Sequence, residues 1–213
     1  MKLYLSSQKL GNSPTHLLKL LKNNNTVIVA NALDDKPKAH RDNRVENEIQ
    51  TLKSIGLNPE ELDLRNYFSN PEKLSKYLKS KSLIWVRGGN TFILRRAMLE
   101  SNFDQIVLPL IKNNKLVYGG YSAALLVASK DLFGVELVDN PNLVPKGYSR
   151  SIQPKDGLGL LDFHLIPHFE SNEPYAKDIV QHRNCLHNNG RCVVTLRDGE
   201  VYVFNNGRGE IIK

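Results

Sequence analysis

A serine that follows two glycines is the first feature of this sequence that could carry chemistry. Residues 116–126, LVYGGYSAALL, run from strand-forming residues through Gly119 and Gly120 to Ser122 and then to helix formers. This order predicts a strand, a sharp turn and a helix, which exposes the Ser122 hydroxyl as a nucleophile beside the amide of Ala123. An alternative stays open, because glycines and a capping serine also make an ordinary strand-to-helix turn.

A second glycine loop follows a second apolar strand. Residues 83–92, LIWVRGGNTF, lead from the strand into Gly88 and Gly89 and then into a helix. In open α/β sheets the loops at the carboxyl ends of the strands meet at one edge, where ligands bind. Without a Cβ, these two glycines can bring backbone N–H groups close to a developing oxyanion. The same loop could equally hold a phosphate.

Histidine and aspartate complete the set of reactive side chains. An extended apolar segment delivers His168 after a stiffening proline, which makes His168 the candidate general base. His164 lies within the strand pattern and is predicted to be a hydrogen-bonded core residue, whereas His182 and His187 are predicted on a helix surface. A two-histidine metal site lacks a third ligand, so no metal is expected. Asp198 could orient the base, although Asp-Gly is also a preferred hairpin turn.

Alternating strand and helix patterns supply the elements that must position these residues. They predict a doubly wound, mostly parallel α/β sheet flanked by helices, flavodoxin-like in organisation, with a C-terminal hairpin through Asp198-Gly199. Pro109 is expected to kink or divide the longest helix. The predicted strands are 2–6, 26–32, 61–65, 82–87, 115–119, 160–167, 191–197 and 200–204. The predicted helices are 14–23, 40–55, 71–80, 91–113 and 173–187.

Composition limits the class of protein. With 213 residues and no low-complexity linker, a single domain over residues 1–213 is expected. The longest apolar run, residues 123–128, is too short to cross a bilayer, and the first residues lack a secretory apolar stretch, which favours the cytoplasm. Cys185 and Cys192 give no reason to expect a disulfide. The net charge is +7, but the lysines and arginines are scattered among acidic residues, so no nucleic-acid partner is expected.

Four segments together resemble the peptidase E family of serine peptidases, which contains α-aspartyl dipeptidases and, more distantly, cyanophycinases. They are residues 87–92 for the family's G-G-N-T-F loop, 120–123 for its G-x-S-A-G elbow, 166–169 for its N-P-H-aromatic segment and 196–199 for its late acidic-glycine turn. The segments occur in family order and extend over nearly the whole chain. The resemblance implies the fold of class I glutamine amidotransferases, with a serine in place of their cysteine.

The resemblance also implies a reaction and roles for residues. It implies hydrolysis of dipeptides with an N-terminal aspartate through an acyl-enzyme, without cofactor or metal. Ser122 would attack, His168 would move the proton, and the amides of Gly89 and Ala123 would hold the oxyanion. The family usually has a glutamate at the position aligned with Asp198.

Several points stay open within that resemblance. Asp139, in the loop after the elbow helix, is a second candidate for orienting the base. An aspartyl carboxylate could pair with Arg87 or Arg150, and Asn90 is a further candidate for substrate binding. The family's second elbow glycine is Ala124 here. The alternatives are therefore an altered relative that only binds a small ligand, a cyanophycinase-like hydrolase, or a nucleotide or phosphate binder. Either a monomer or a homodimer is expected.

Overall fold

Five parallel strands form the centre of the main sheet. The computed structural model describes residues 1–68, 70–172 and 174–213. The strand order is β3-β2-β4-β5-β1-β8-β9, in which β8 pairs antiparallel with both β1 and β9. These strands are β1 (Leu3–Ser6), β2 (Asn25–Val29), β3 (Asn58–Glu61), β4 (Leu83–Val86), β5 (Val117–Tyr121), β8 (Val201–Asn205) and β9 (Arg208–Ile212). The prediction of a mostly parallel sheet is confirmed.

Helices cover both faces of this sheet. The described helices are α1 (Pro14–Leu20), α2 (Lys38–Ser54), α3 (Pro71–Leu78), α4 (Thr91–Glu100), α5 (Phe103–Lys112), α6 (Ala123–Ala128) and α7 (Ala176–Asn188). Helices α1 and α2 pack their apolar residues on the face that carries Tyr4, Trp85 and Tyr121. Helices α3 to α6 pack on the opposite face, which carries Val86 and Tyr118. Burial on both faces explains why the central strands are continuously apolar.

A second, two-stranded sheet carries two of the candidate site segments. It pairs β6 (His164–Ile166) with β7 (Val193–Thr195) in parallel. The predicted hairpin between residues 191–197 and 200–204 is therefore wrong, because Asp198-Gly199 is instead a turn that leads from the small sheet into the main one. The C-terminal hairpin joins β8 to β9 through Asn206 and Gly207, whose φ angles of 52° and 80° suit a tight hairpin turn.

Other helix and strand boundaries differ from the predicted ones. The strand predicted over residues 61–65 lies earlier in the sequence, where it forms β3 (Asn58–Glu61). The long predicted helix 91–113 divides at Asn102, which takes a left-handed φ of 54°, whereas Pro109 lies inside α5. The predicted helix 173–187 starts at residue 173, which lies outside the described residues. Within the described part of the chain, no helix combines the length and the apolar character needed to span a membrane.

One predicted surface residue is buried. His182, on α7, is only 1% exposed, and its Nε2 lies 3.3 Å from the carbonyl oxygen of Phe133. His187 is exposed as predicted. His164 is buried as predicted, with its Nε2 3.6 Å from Asp131 Oδ1. Among the described residues, no group of three or more histidine, cysteine or acidic side chains could hold a metal ion.

Candidate active site

Ser122 occupies a strained turn between β5 and α6. Its φ and ψ angles are 56° and −110°, a region that costs a non-glycine residue about 1–3 kcal/mol. Its side chain makes no capping hydrogen bond to α6, so the interpretation of Ser122 as an ordinary helix cap is wrong. The strain therefore has no compensation from capping, and such strain is typical of a functional position.

The residues around Ser122 must be small. Gly120 has a φ of 156°, and a Cβ there would lie 2.3 Å from the carbonyl oxygen of Val86 and 2.7 Å from Ala124 Cβ. Only glycine fits at position 120. Ala124 is fully buried in the first turn of α6, and its methyl group lies on the side of Gly120 where a side chain would otherwise be. The departure from the family's second elbow glycine is thus accommodated by packing.

The second glycine loop lies against this elbow. A Cβ on Gly88 would come within 2.9 Å of Ser122 Cβ. Gly89 has a φ of 150°, and a Cβ there would lie 2.5 Å from the carbonyl oxygen of Ala32. Within the described parts of the chain, the amides of Gly89 and Ala123 donate no hydrogen bond. These two donors are therefore available to a bound group near Ser122.

His168 and Asp198 meet at the ends of the small sheet. His168 Nδ1 lies 2.7 Å from Asp198 Oδ1, and because a carboxylate only accepts, the imidazole donates. This leaves Nε2 of the neutral ring as the acceptor. The pair is set by backbone bonds between the strand ends, in which Leu196 donates to Ile166 at 2.8 Å and Phe169 donates to Leu196 at 3.0 Å.

Ser7 is a site residue that the sequence reasoning missed. Its hydroxyl accepts the backbone amide of His168 at 2.8 Å and lies 2.9 Å from Asp198 Oδ1, to which it donates. Ser7 is fully buried and follows β1 directly. Its position just beyond a central parallel strand, at the edge where the other loops meet, is a signal that could have identified it.

Ser122 and His168 face one cavity of about 240 Å³. Apart from these two residues, the cavity is lined by Gly89, Leu126, Val138, Asp139, Pro167, Tyr175 and Ile179. The Tyr175 ring packs edge-on against the His168 imidazole, with 5.6 Å between ring centroids. As far as the described residues show, the Ser122 hydroxyl makes no hydrogen bond, so it is not linked to His168 in this state. Such links often tighten only when substrate binds.

Asp139 lines the cavity but does not orient His168. Its Oδ2 accepts the Thr91 amide at 2.9 Å and the Thr91 hydroxyl at 2.6 Å, at the first residue of α4. Burial raises the pKa of the Asp139 carboxyl, although the two Thr91 donors oppose that rise. Of the two acidic candidates, the structure places Asp198 and not Asp139 against the imidazole.

The three candidates for substrate binding have other contacts. Asn90 caps α4, with its side chain accepting the Ile93 amide at 2.9 Å. Arg87 lies on the other face of the sheet, with its Nε 3.5 Å from Glu48 Oε2. Arg150 is exposed, and its neighbour Ser149 donates to Glu100, at the opposite end of α4 from Asn90. None of the three side chains lines the cavity.

The sequence matches a known family and several known proteins. A sequence model of peptidase family S51 matches residues 7–212. An "uncharacterized peptidase" of Listeria monocytogenes is 31% identical over 132 residues, 62% of this chain and 60% of that protein. A Drosophila melanogaster protein named as a probable alpha-aspartyl dipeptidase is 27% identical over 113 residues, 53% of this chain and 43% of its own. The matched stretches therefore span less than two thirds of the length of these relatives.

Solved structures share the fold. The chain superposes on a protein from Listeria monocytogenes described as a candidate peptidase E with a TM-score of 0.76 and 23% identity, over 100% of this chain and 98% of that one. A peptidase from an acI-B1 Actinobacterium gives a TM-score of 0.73 at 17% identity, over 99% and 86%. At these identities the likeness shows the fold alone. Because the family match covers nearly the whole sequence, this chain belongs to peptidase family S51.

Proposed function

We propose that this protein is a serine peptidase that hydrolyses small peptides with Ser122, His168 and Asp198. The observation that carries the proposal is the hydrogen bond of His168 Nδ1 to Asp198 Oδ1, because His168 lines the same cavity as the strained elbow residue Ser122. This bond fixes the tautomer in which Nε2 can accept a proton. Membership in a peptidase family gives the same reaction class.

The reaction follows from the placement of these groups. Ser122 Oγ attacks the scissile carbonyl carbon while His168 Nε2 takes the hydroxyl proton, and Asp198 stabilises the resulting imidazolium. The amides of Gly89 and Ala123 hold the negative oxygen of the tetrahedral intermediate. Its collapse breaks the C–N bond, and His168 returns the proton to the leaving amine. Water then cleaves the acyl-enzyme ester by the same route.

The cavity lining bears on the substrate. Its volume suits a short peptide and its walls are mostly apolar. Among the described lining residues, Asp139 is the acidic residue and there is no lysine or arginine. A partly buried carboxylate at this position favours a substrate ammonium group, so we assign the free amino terminus as the main recognition element. N-terminal aspartate, which the family resemblance implies, is the specific case to test.

A panel of dipeptides tests the proposal. Asp-Leu, Glu-Leu, Leu-Leu and N-blocked Asp-Leu are incubated with the protein, with Ser122→Ala and with Ser129→Ala. Ser129 follows the same helix, α6, but lies outside the cavity, which makes it the control serine. We expect hydrolysis of free but not N-blocked dipeptides, lost only in Ser122→Ala. Cleavage that persists in Ser122→Ala contradicts the mechanism, and preference for Asp-Leu over Leu-Leu establishes the aspartyl specificity.

A binding role without catalysis is the second candidate function. It is favoured by the Ser122 hydroxyl, which makes no hydrogen bond within the described residues. A fluorophosphonate probe separates the two candidates, because it labels an activated serine and spares an ordinary one. Labelling of Ser122 supports the peptidase, and absence of both labelling and turnover supports a binding protein.

A further inference from the structure

Ser7 joins the main sheet to the two loops that carry the candidate base and acid. We propose that Ser7 is a positioning residue, which holds the His168 ring and the Asp198 carboxylate in their productive arrangement. This inference rests on the proposed function for its kinetic consequences, but its structural consequence can be measured in a protein without turnover.

The contacts form a closed cycle. The Ser7 oxygen accepts the His168 backbone amide at 2.8 Å, and its hydroxyl donates to Asp198 Oδ1 at 2.9 Å. The same Oδ1 accepts the His168 ring Nδ1–H at 2.7 Å. One hydroxyl therefore fixes the base through its backbone and the acid through its carboxylate. Two donors on a single carboxylate oxygen also disperse the charge that faces the imidazole.

The location of Ser7 explains why a link is needed. Ser7 follows β1 of the main sheet, whose neighbour β5 leads to Ser122, whereas His168 and Asp198 follow strands of the small sheet. The relative placement of nucleophile and base thus depends on contacts between two sheets. A misplacement of about 1 Å in such a pair can cost roughly a hundredfold in rate. Ser7 supplies one such contact directly at the reacting pair.

The backbone of His168 adds a second reason. His168 has a φ of 59°, a left-handed conformation that costs a non-glycine residue about 1–2 kcal/mol. In this conformation the backbone amide of His168 donates to Ser7 Oγ, and this hydrogen bond is buried. Without that acceptor the amide is left unsatisfied, which favours a different backbone conformation at His168.

A purely structural role for the Ser7 hydroxyl makes different predictions. The Leu196 carbonyl oxygen lies 3.3 Å from Ser7 Oγ and could serve as the acceptor if the hydroxyl only tied β1 to the small sheet. Loss of the hydroxyl would then lower stability but leave the His168–Asp198 bond unchanged. The test therefore needs a readout of that bond as well as of stability.

The experiment compares Ser7→Ala and Ser7→Cys with the unmutated protein. Ser101→Ala is the matched control, because Ser101 is also fully buried and its hydroxyl donates to a backbone carbonyl, but at the end of α4. For each protein we measure thermal unfolding, the low-field proton resonance of the His168 Nδ1–H, and the pH profiles of kcat and kcat/KM for the best dipeptide. The resonance is assigned by its loss in Asp198→Asn.

We expect Ser7→Ala to shift or broaden the Nδ1–H resonance and to lower kcat by roughly 10- to 100-fold, with KM within about twofold. The acid limb of the kcat/KM profile moves to higher pH, because a carboxylate with one donor fewer stabilises the imidazolium more strongly. Ser7→Cys, whose thiol is a weak donor, gives an intermediate kcat. Ser101→Ala changes neither the resonance nor the kinetics.

The inference is overturned if folded Ser7→Ala keeps the resonance, kcat and pH profile of the unmutated protein. If Ser7→Ala does not fold, Ser7→Cys decides in the same way. If the unmutated protein hydrolyses nothing, the proposed function fails, and the resonance alone decides about Ser7. An unchanged resonance in that case overturns the inference, and a shifted one supports it.

Discussion

Replacing Asp198 by asparagine probes the proposed mechanism most directly. Asp198 Oδ1 accepts the ring Nδ1–H of His168 at 2.7 Å, so the carboxylate stabilises the imidazolium that forms when Ser122 is deprotonated. Asparagine keeps the size of the side chain but removes the charge, and its amide can impose the wrong tautomer on the ring. Ser7 would then face an amide in place of a carboxylate.

The charge interaction between Asp198 and the His168 imidazolium sets the expected decrease in kcat. Two opposite charges about 4 Å apart at an effective dielectric constant of about 20 interact by about 4 kcal/mol. Loss of that amount from the transition state corresponds to a decrease in kcat of roughly a thousandfold. The Asp198 side chain is 28% exposed, so solvent screening reduces the effect, and we expect a decrease between about 100- and 1000-fold.

The assay is steady-state hydrolysis of the best dipeptide, with folding checked by circular dichroism. The matched control is Asp131→Asn, because Asp131 also faces a histidine, with its Oδ1 3.6 Å from His164 Nε2, but outside the cavity. Asp131→Asn should retain kcat within about twofold. The mechanism is refuted if folded Asp198→Asn keeps more than about a tenth of kcat, since no charge stabilisation of that size could then come from this carboxylate.

Three further predictions concern stability and are measured by urea denaturation. Ser122→Gly should unfold with a free energy about 1 kcal/mol higher than Ser122→Ala, because glycine adopts this φ without strain; equal values would contradict the strain. Arg95→Met should lower the free energy of unfolding by about 3 kcal/mol, because it removes the buried partner of Asp104. The two Asp104 carboxylate oxygens lie 2.7 and 2.5 Å from the Arg95 guanidinium nitrogens. A decrease below about 1 kcal/mol would show that the pair is dispensable. Burial lowers the pKa of His164 and His182 below the ordinary 6.5, so the unfolded state binds protons at a higher pH than the folded state. The free energy of unfolding should therefore fall as the pH is lowered from about 7 to about 5, and His182→Gln should make this fall less steep. A free energy of unfolding that does not change over this range would contradict the prediction.

The sequence predicted the central sheet because its signals are local. Continuous apolar runs such as residues 83–86 identify strands that are buried on both faces, and glycines mark the turns at their carboxyl ends. The elbow at Ser122 could be predicted for the same reason. The packing of Ala124 could not, because it depends on how closely Gly120 lies to Ala124 and to Val86 across the turn.

The relations between distant segments were harder to predict. The partner of residues 193–195 is β6 and not the strand that follows them. Ile166 and Val193 of the small sheet pack in one cluster with residues of α7, a contact that the turn at Asp198 does not predict. Asn206-Gly207 was a hairpin signal that the sequence reasoning overlooked. The position of Ser7 after β1 marks the ligand-binding edge of the sheet, but its role depends on partners that lie 161 and 191 residues away in sequence.

The close approach of Gly120 and Ala124 bears on how distant relatives are recognised. A search pattern that demands glycine both two residues before and two residues after the serine rejects this chain. The steric limits are unequal, because position 120 is confined by the backbone of Val86, whereas position 124 accepts a methyl group as long as position 120 has none. A pattern that requires the first glycine and admits alanine at the second position would retrieve sequences like this one. Variants with alanine at both positions should be absent from functional libraries of this fold.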